Sequence, residues 1–227
     1  MEGLKGVFAL DKDLDKAMQQ LHEELITMGC LVEGAIDSVL EALSQKDKEL
    51  AQNVINGDDL VDDQEKRIEQ RCLKIIAVER PVGSDLRTVT TALKVVGDLE
   101  RMADSSVDIA CVVLRLADVE FVRPLRHIPI MVEMISKMIT AALNAYIHRD
   151  IKQAQQVMEI LKEVRTRFQS VVDDMSALMK EDVSTVDQAV NFMFVAKYFS
   201  TMSEHAGNVA EWTMYLIKGV HPEDEGL

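Results

Sequence analysis

The 227-residue chain is poor in everything that builds a small stapled domain or a β-fold: three cysteines, four prolines, ten glycines, one tryptophan and only 4% aromatic residues. So little Pro and Gly leaves few tight turns, and so few aromatic and turn residues argue against sheets. The odd number of thiols, with no C-x-x-C spacing, excludes a disulfide framework or zinc knuckle and suggests that Cys30, Cys72 and Cys111 are buried free thiols. Positive charge is also scarce, 25 Lys and Arg against 39 Asp and Glu. A net charge of −14 repels a nucleic-acid backbone or an anionic lipid surface and favours cations and basic protein surfaces. No apolar run reaches the roughly 18 residues that a membrane span needs, and no basic flank with an apolar run opens the chain. The expectation is a cytoplasmic protein with no membrane insertion and no nucleic-acid partner.

What is abundant is aliphatic: 48% of residues are apolar and thirteen are Met, which suits long packed helices. Leu14, Met18, Leu21, Leu25, Met28, Val32, Ala35, Val39 and Ala42 alternate steps of four and three, the seam of one long helix. A break at Lys46-Asp47 precedes a second helix ending near Ala77, stopped by Pro81 and Gly83. Ser84 then reads as the cap of a third helix, with Asp85 at its positive end, running to about Leu116. The segment from Phe121 to Pro129 reads as a connection. Three further helices follow: Ile130 to Arg149, Asp150 to Met179, and Thr185 to Lys218, closed by Gly219 and Pro222.

The halves repeat. Glu100-Arg101-Met102-Ala103-Asp104 aligns with Ser200-Thr201-Met202-Ser203-Glu204, and Val54-Ile55 before Asp58 aligns with Val157-Met158 before Leu161. Short turns make successive helices antiparallel neighbours. The predicted fold is all-α, two tandem three-helix bundles over residues 1–120 and 121–227.

One feature of the first half does not belong to ordinary packing. At about 100° per residue, Asp58, Asp62, Glu65 and Glu69 share a face with Val54, Val61, Cys72 and Ile76, so acids interrupt a stripe that should point inward. The third helix carries Glu100, Asp104 and Asp108 at i, i+4 and i+8 beside Val96, Ala103 and Val107. Like charges so spaced repel, and desolvation magnifies the cost. Something positive should lie between them. In the second half the matching positions are Leu161, Arg165 and Phe168, then Ser200, Glu204 and Asn208, so both helices lose acid together. Hard oxygen donors on adjacent helices suit Mg²⁺, Ca²⁺, Mn²⁺ or a carboxylate-bridged iron centre. The competing interpretation is a solvated acidic face paired with Lys and Arg. The expected metal ligands are Asp58, Asp62, Glu65, Glu100, Asp104 and Asp108, with an Arg165–Glu204 ion pair standing in for metal in the second half.

Several segments resemble the PhoU family of phosphate-regulon accessory proteins: Met28-Gly29, Asp58-Asp59-Leu60-Val61-Asp62, Arg80-Pro81 with Ser84-Asp85-Leu86-Arg87, Leu99 to Asp104, and Asn208-Val209-Ala210-Glu211-Trp212 with Tyr215 and Lys218-Gly219. The resemblance implies two three-helix bundles and, as in some members, iron clusters on E/D-x-x-x-D motifs, which here fall on Asp58 with Asp62 and Glu100 with Asp104. Ser200 and Arg165 depart from that motif, so one cluster is expected. It further implies a negative regulator of phosphate transport and homeostasis whose partners are the sensor histidine kinase of the regulon and the ATPase subunit of the phosphate ABC transporter. A homodimer is an added expectation. The alternatives are a ferritin-like metallo-oxidase, which lacks its Glu-x-x-His pairs here, and a metal-free helical adaptor.

Overall fold

The computed structural model describes residues 2–120 and 127–220, with side chains from Asp13 onward. Six long helices carry it: α1 Glu2–Gln45, α2 Lys48–Lys74, α3 Gly83–Leu116, α4 Ile128–His148, α5 Ile151–Glu181 and α6 Val186–Lys218. No strand occurs among the described residues. The α1, α2 and α3 helices pack on one another, as do α4, α5 and α6.

The repeat extends to the turns. Lys46 and Arg149 both adopt left-handed backbone, φ 57° and 52°. The aspartate after each then caps the next helix. Asp47 accepts from the Leu50 N–H at 3.0 Å, and Asp150 accepts from the Lys152 N–H at 2.8 Å and the Gln153 N–H at 3.2 Å. A short carboxylate supplies an acceptor that the helix start lacks.

The turn into α3 differs from the sequence expectation. A π-helical turn over Ile75–Glu79 prolongs α2, and Arg80 ends it at φ 51°. Val82, not Ser84, is the residue before α3, and it has no capping side chain. Ser84 lies within the first turn, and its carbonyl accepts from the Thr88 hydroxyl at 3.0 Å. Asp85 does stand in that first turn. Pro129 belongs to α4, at its opening turn, where a missing N–H costs nothing. Residues 121–126 of the expected connection, and Pro222, lie outside the described residues. Gly219 ends α6 at φ 80°, its N–H donating to the Tyr215 carbonyl.

The coiled-coil-like seam of α1 is buried at Leu21, Leu25, Met28, Val32, Val39 and Ala42, with Ala35 at its margin. Met131 and Met138 are core residues. Only Cys72 of the three thiols is buried, whereas Cys30 and Cys111 are exposed, because both sit at the edges of their helix stripes. Burial pushes the Cys72 thiol up to about 12.

The two repeats share one continuous apolar core. The α3 helix is buried on two flanks: Val89, Ala92, Val96, Leu99, Ala103, Ser106, Ala110 and Val113 form one stripe, and Thr91, Val95, Met102, Ser105, Ile109 and Val112 a second. Two stripes mean two packing faces, and α3 packs on α1 and α2 of its own repeat and on α6 of the other. The second meets α6, which runs antiparallel to α3 and holds it through Asp98: the carboxylate pairs with His205 Nδ1 at 2.8 Å and accepts from Asn208 Nδ2 at 2.9 Å. His205 is thus a half-buried, hydrogen-bonded histidine tying the repeats together. On the opposite side α1 approaches α4 so closely that a Cβ at Gly29 would stand 3.1 Å from Leu143 Cδ2. The α4 helix is the one described helix long and apolar enough to cross a membrane by length and composition, and it packs against α1, α5 and α6.

Candidate functional site

The acidic stripes of α2 and α3 face one another. Because the helices are antiparallel, Asp58 comes beside Asp104, and Glu65 and Asp62 beside Glu100. The proximity appears in the proton affinities. Burial, and then the charges of Asp104, Asp62 and Asp59, hold the Asp58 carboxyl above the usual range. Glu65 is raised by burial and by Glu69 and Asp62, against the opposing pull of Arg101 and Lys66. Asp108 is raised by burial and by Asp104. Glu100 is the most perturbed: its side chain is 18% exposed, and burial with the Asp104 charge lifts it to about 7. Each displacement has the sign expected when carboxylates lose water and gain like-charged neighbours. Glu69, by contrast, is exposed.

Two cations border this seam: Lys66 Nζ stands 3.7 Å from Asp62, and Arg101 lies beside the acids of α3. Arg101 Nε stands 3.3 Å from Glu100, and its Nη1 stands 3.5 Å from Asp104. Its side chain is itself largely solvated, so the pairing is weak. Sequence reasoning weighed Lys and Arg partners for this face without singling out Arg101, because an i, i+3 ion pair on a helix is too common to carry a signal of its own. The donor set, six carboxylates from two helices, fits a hard cation. Among the described residues, however, no three such groups are drawn together closely enough to ligate one ion. Asp58, Asp62, Glu65, Glu100 and Asp104 are brought to one seam but spread along it, whereas Asp108 is exposed and its charge bears on Tyr198 of α6 instead of on α2. Asp58, Val61, Ala103 and Val107 also line a cleft of about 350 Å³ that continues between α1 and α2, where Gly34 and Gly57 present no side chain.

In the second repeat the corresponding seam is closed. Arg165 donates from Nε to Glu204 Oε1 at 2.8 Å and from Nη2 to Oε2 at 2.7 Å. Leu161 is buried, where Asp58 stands in the first repeat. Arg165 holds Glu204 below the ordinary carboxylate range, the opposite of Glu100.

A second polar cluster joins α1 to α2: Arg71 grips both oxygens of Glu24 at 2.6 Å and donates to Gln20 at 2.7 Å. At the far end of the α3–α6 seam, the Arg87 guanidinium lies 5.9 Å from the Tyr215 ring and the Lys94 ammonium 5.9 Å from the Trp212 ring. Asp85 and Arg87, prominent in the sequence, are therefore remote from the acidic seam, at the start of α3.

Comparison with known proteins agrees with the helix plan. The PhoU domain pattern matches residues 25–113 and again 128–213. The chain is 35% identical over 209 residues to a phosphate-specific transport system accessory protein PhoU homolog of Clostridium acetobutylicum, covering 92% of this chain and 95% of that protein. It is 34% identical over 206 residues to the homolog of Aquifex aeolicus, covering 91% and 93%. The crystal structure of PhoU from Pseudomonas aeruginosa superposes with a TM-score of 0.88 at 28% identity, covering 91% of this chain and 99% of that one. That of the phosphate transport system regulatory protein PhoU from Streptococcus pneumoniae, at 24% identity and a TM-score of 0.85, shares the fold over 92% and 98%. Two matched domains, near-complete coverage and a common six-helix architecture establish that the chain belongs to the PhoU family.

Proposed function

We propose that the chain is a non-catalytic cytoplasmic regulator of phosphate uptake and phosphate-regulon signalling, acting as a homodimer that binds the sensor histidine kinase of the regulon and the ATPase subunit of the phosphate ABC transporter. The observation that carries this reading is likeness, over 92% of the chain, to proteins named as accessory to phosphate-specific transport. The residues add a metal site in the first repeat. Asp58, Asp62, Glu65, Glu100, Asp104 and Asp108 would hold divalent or iron ions along the α2–α3 seam. A bound cation would add positive charge to a seam whose five half-buried carboxylates outnumber the solvated Arg101 and Lys66 beside them. This chain's own part is to present the carboxylates from two rigid helices and keep Glu100 sheltered from water.

Affinity capture with the full chain as bait tests the partners: retention of both the kinase and the transporter ATPase is expected, and retention of neither sinks the regulatory assignment. For the metal, purified protein is loaded with Mn²⁺ or Fe²⁺ and its content measured. Glu100→Ala with Asp104→Ala should lose the ion while staying helical. Stoichiometric metal in that variant would move the site elsewhere. A metal-free adaptor is the second reading, favoured by the spacing that keeps any three described carboxylates from meeting at one point.

A further inference from the structure

We infer that the Arg165 guanidinium takes the place of a bound cation between α5 and α6, leaving the second repeat closed to metal and clamped by a charge of its own. The inference builds on the metal reading of the first repeat, and two kinds of observation support it.

The repeat register holds in three dimensions. Asp62 and Asp104 lie on facing helices in the first repeat, and their counterparts Arg165 and Glu204 are joined by two hydrogen bonds in the second. A guanidinium and a carboxylate matched fork to fork leave each Glu204 oxygen engaged. Of the six seam positions only Glu204 keeps a carboxylate in the second repeat, since the others are Leu161, Arg165, Phe168, Ser200 and Asn208. Glu211, two turns further along α6, adds its charge to Arg165 as well, so the carboxylates nearest this seam serve the guanidinium, and one Arg-bound carboxylate among six positions is a poor ligand set for a hard ion.

The surroundings fix this state sterically. Leu161 is packed over Gly207, where an added Cβ would stand 2.8 Å from Leu161 Cδ2 and 4.0 Å from Met158 Sδ. An aliphatic side chain therefore fills the ground that Asp58 holds open beside Asp104. Asn208 is turned the other way, donating to Asp98 on α3, and so serves the join between repeats. Unlike a bound ion, the Arg165 charge cannot be removed by chelation. Metal availability would then act on one repeat only.

Hydrogen exchange of the full chain, followed by mass spectrometry with Mn²⁺ or with chelator, tests this. Peptides around Arg165 and Glu204 should exchange identically in the two conditions. Arg165→Ala, at a side chain that is 57% exposed and so a small risk to folding, should speed exchange there by about two- to fivefold, the range set by a surface ion pair. Adding Glu204→Ala to that variant should change little more, because the pair acts as a unit. Manganese protection of the α5–α6 peptides in the unaltered chain would overturn the inference, as would an Arg165→Ala variant with unchanged exchange. Manganese without effect on α2–α3 peptides would instead count against the first-repeat metal site, and would leave the Arg165 result to stand by itself.

Discussion

Glu100→Gln should stabilise the metal-free protein, although it removes a charged residue from a highly charged chain. Glu100 binds its proton more tightly folded, at about 7, than its ordinary 4.5. Below 4.5 the carboxyl is neutral in both states and contributes no pH dependence. Between those values the folded chain keeps a proton that the unfolded chain releases, so stability falls as pH rises. Above 7 the side chain is ionised in both states, and the folded state carries the whole penalty. The displacement corresponds to at most about 3 kcal/mol at 1.36 kcal/mol per pH unit. Residual exposure and Arg101 at 3.3 Å screen part of it, leaving about 1–2 kcal/mol. Glutamine preserves the volume and discards the charge. In chelator at pH 8 the variant should melt about 2–8 °C higher than the parent, and at pH 4 the two should coincide. A lower melting temperature at pH 8, or the same offset at both pH values, would refute the electrostatic account. With manganese bound in the proposed site the order should reverse, because the carboxylate then has a partner.

Other substitutions probe the scaffold. Gly57→Ala should raise stability in urea unfolding by about 0.5–1 kcal/mol, since an added Cβ meets nothing in the α2 interior. Gly219→Ala should lower it by about 1–2 kcal/mol, because φ 80° is unfavourable for alanine and the methyl would run into the Arg87 guanidinium. Arg71→Ala strips three hydrogen bonds from Glu24 and Gln20 and should cost about 2 kcal/mol; a loss below about 0.5 kcal/mol would mean that solvent replaces them. In Ellman titration Cys30 and Cys111 should react in the native protein, while Cys72 should wait for unfolding, buried and with its thiol pushed up to about 12.

Helix positions were readable because steps of three and four with few interruptions admit one periodicity, and the buried α1 residues follow it. The meeting of the two acidic stripes was readable for a related reason: antiparallel neighbours with short turns bring matched positions together, and Arg165 with Glu204 obeys the same register. What escaped depends on geometry finer than a pattern. The π-helical turn at Ile75–Glu79 and the left-handed Arg80 carry no composition signal, so Ser84 was given a cap position that falls at Val82. Cys30 and Cys111 were expected inside because a thiol is usually buried, but azimuth decided otherwise. The Asp98 link to His205 and Asn208 was invisible because periodicity within a helix does not say which repeat a second flank will meet.

The two-flanked burial of α3 has a consequence for how such a chain can diverge. A lone first half would leave Thr91, Val95, Met102, Ile109 and Val112 uncovered, a strip of grease inviting aggregation. The second half is therefore indispensable as upholstery whatever it binds. That duty places no demand on its own α5–α6 seam, where five of the six matching positions carry no acid although the residues that back α3 are in place. An acid-poor half can in this way keep its acid-rich neighbour from presenting a greasy flank to water.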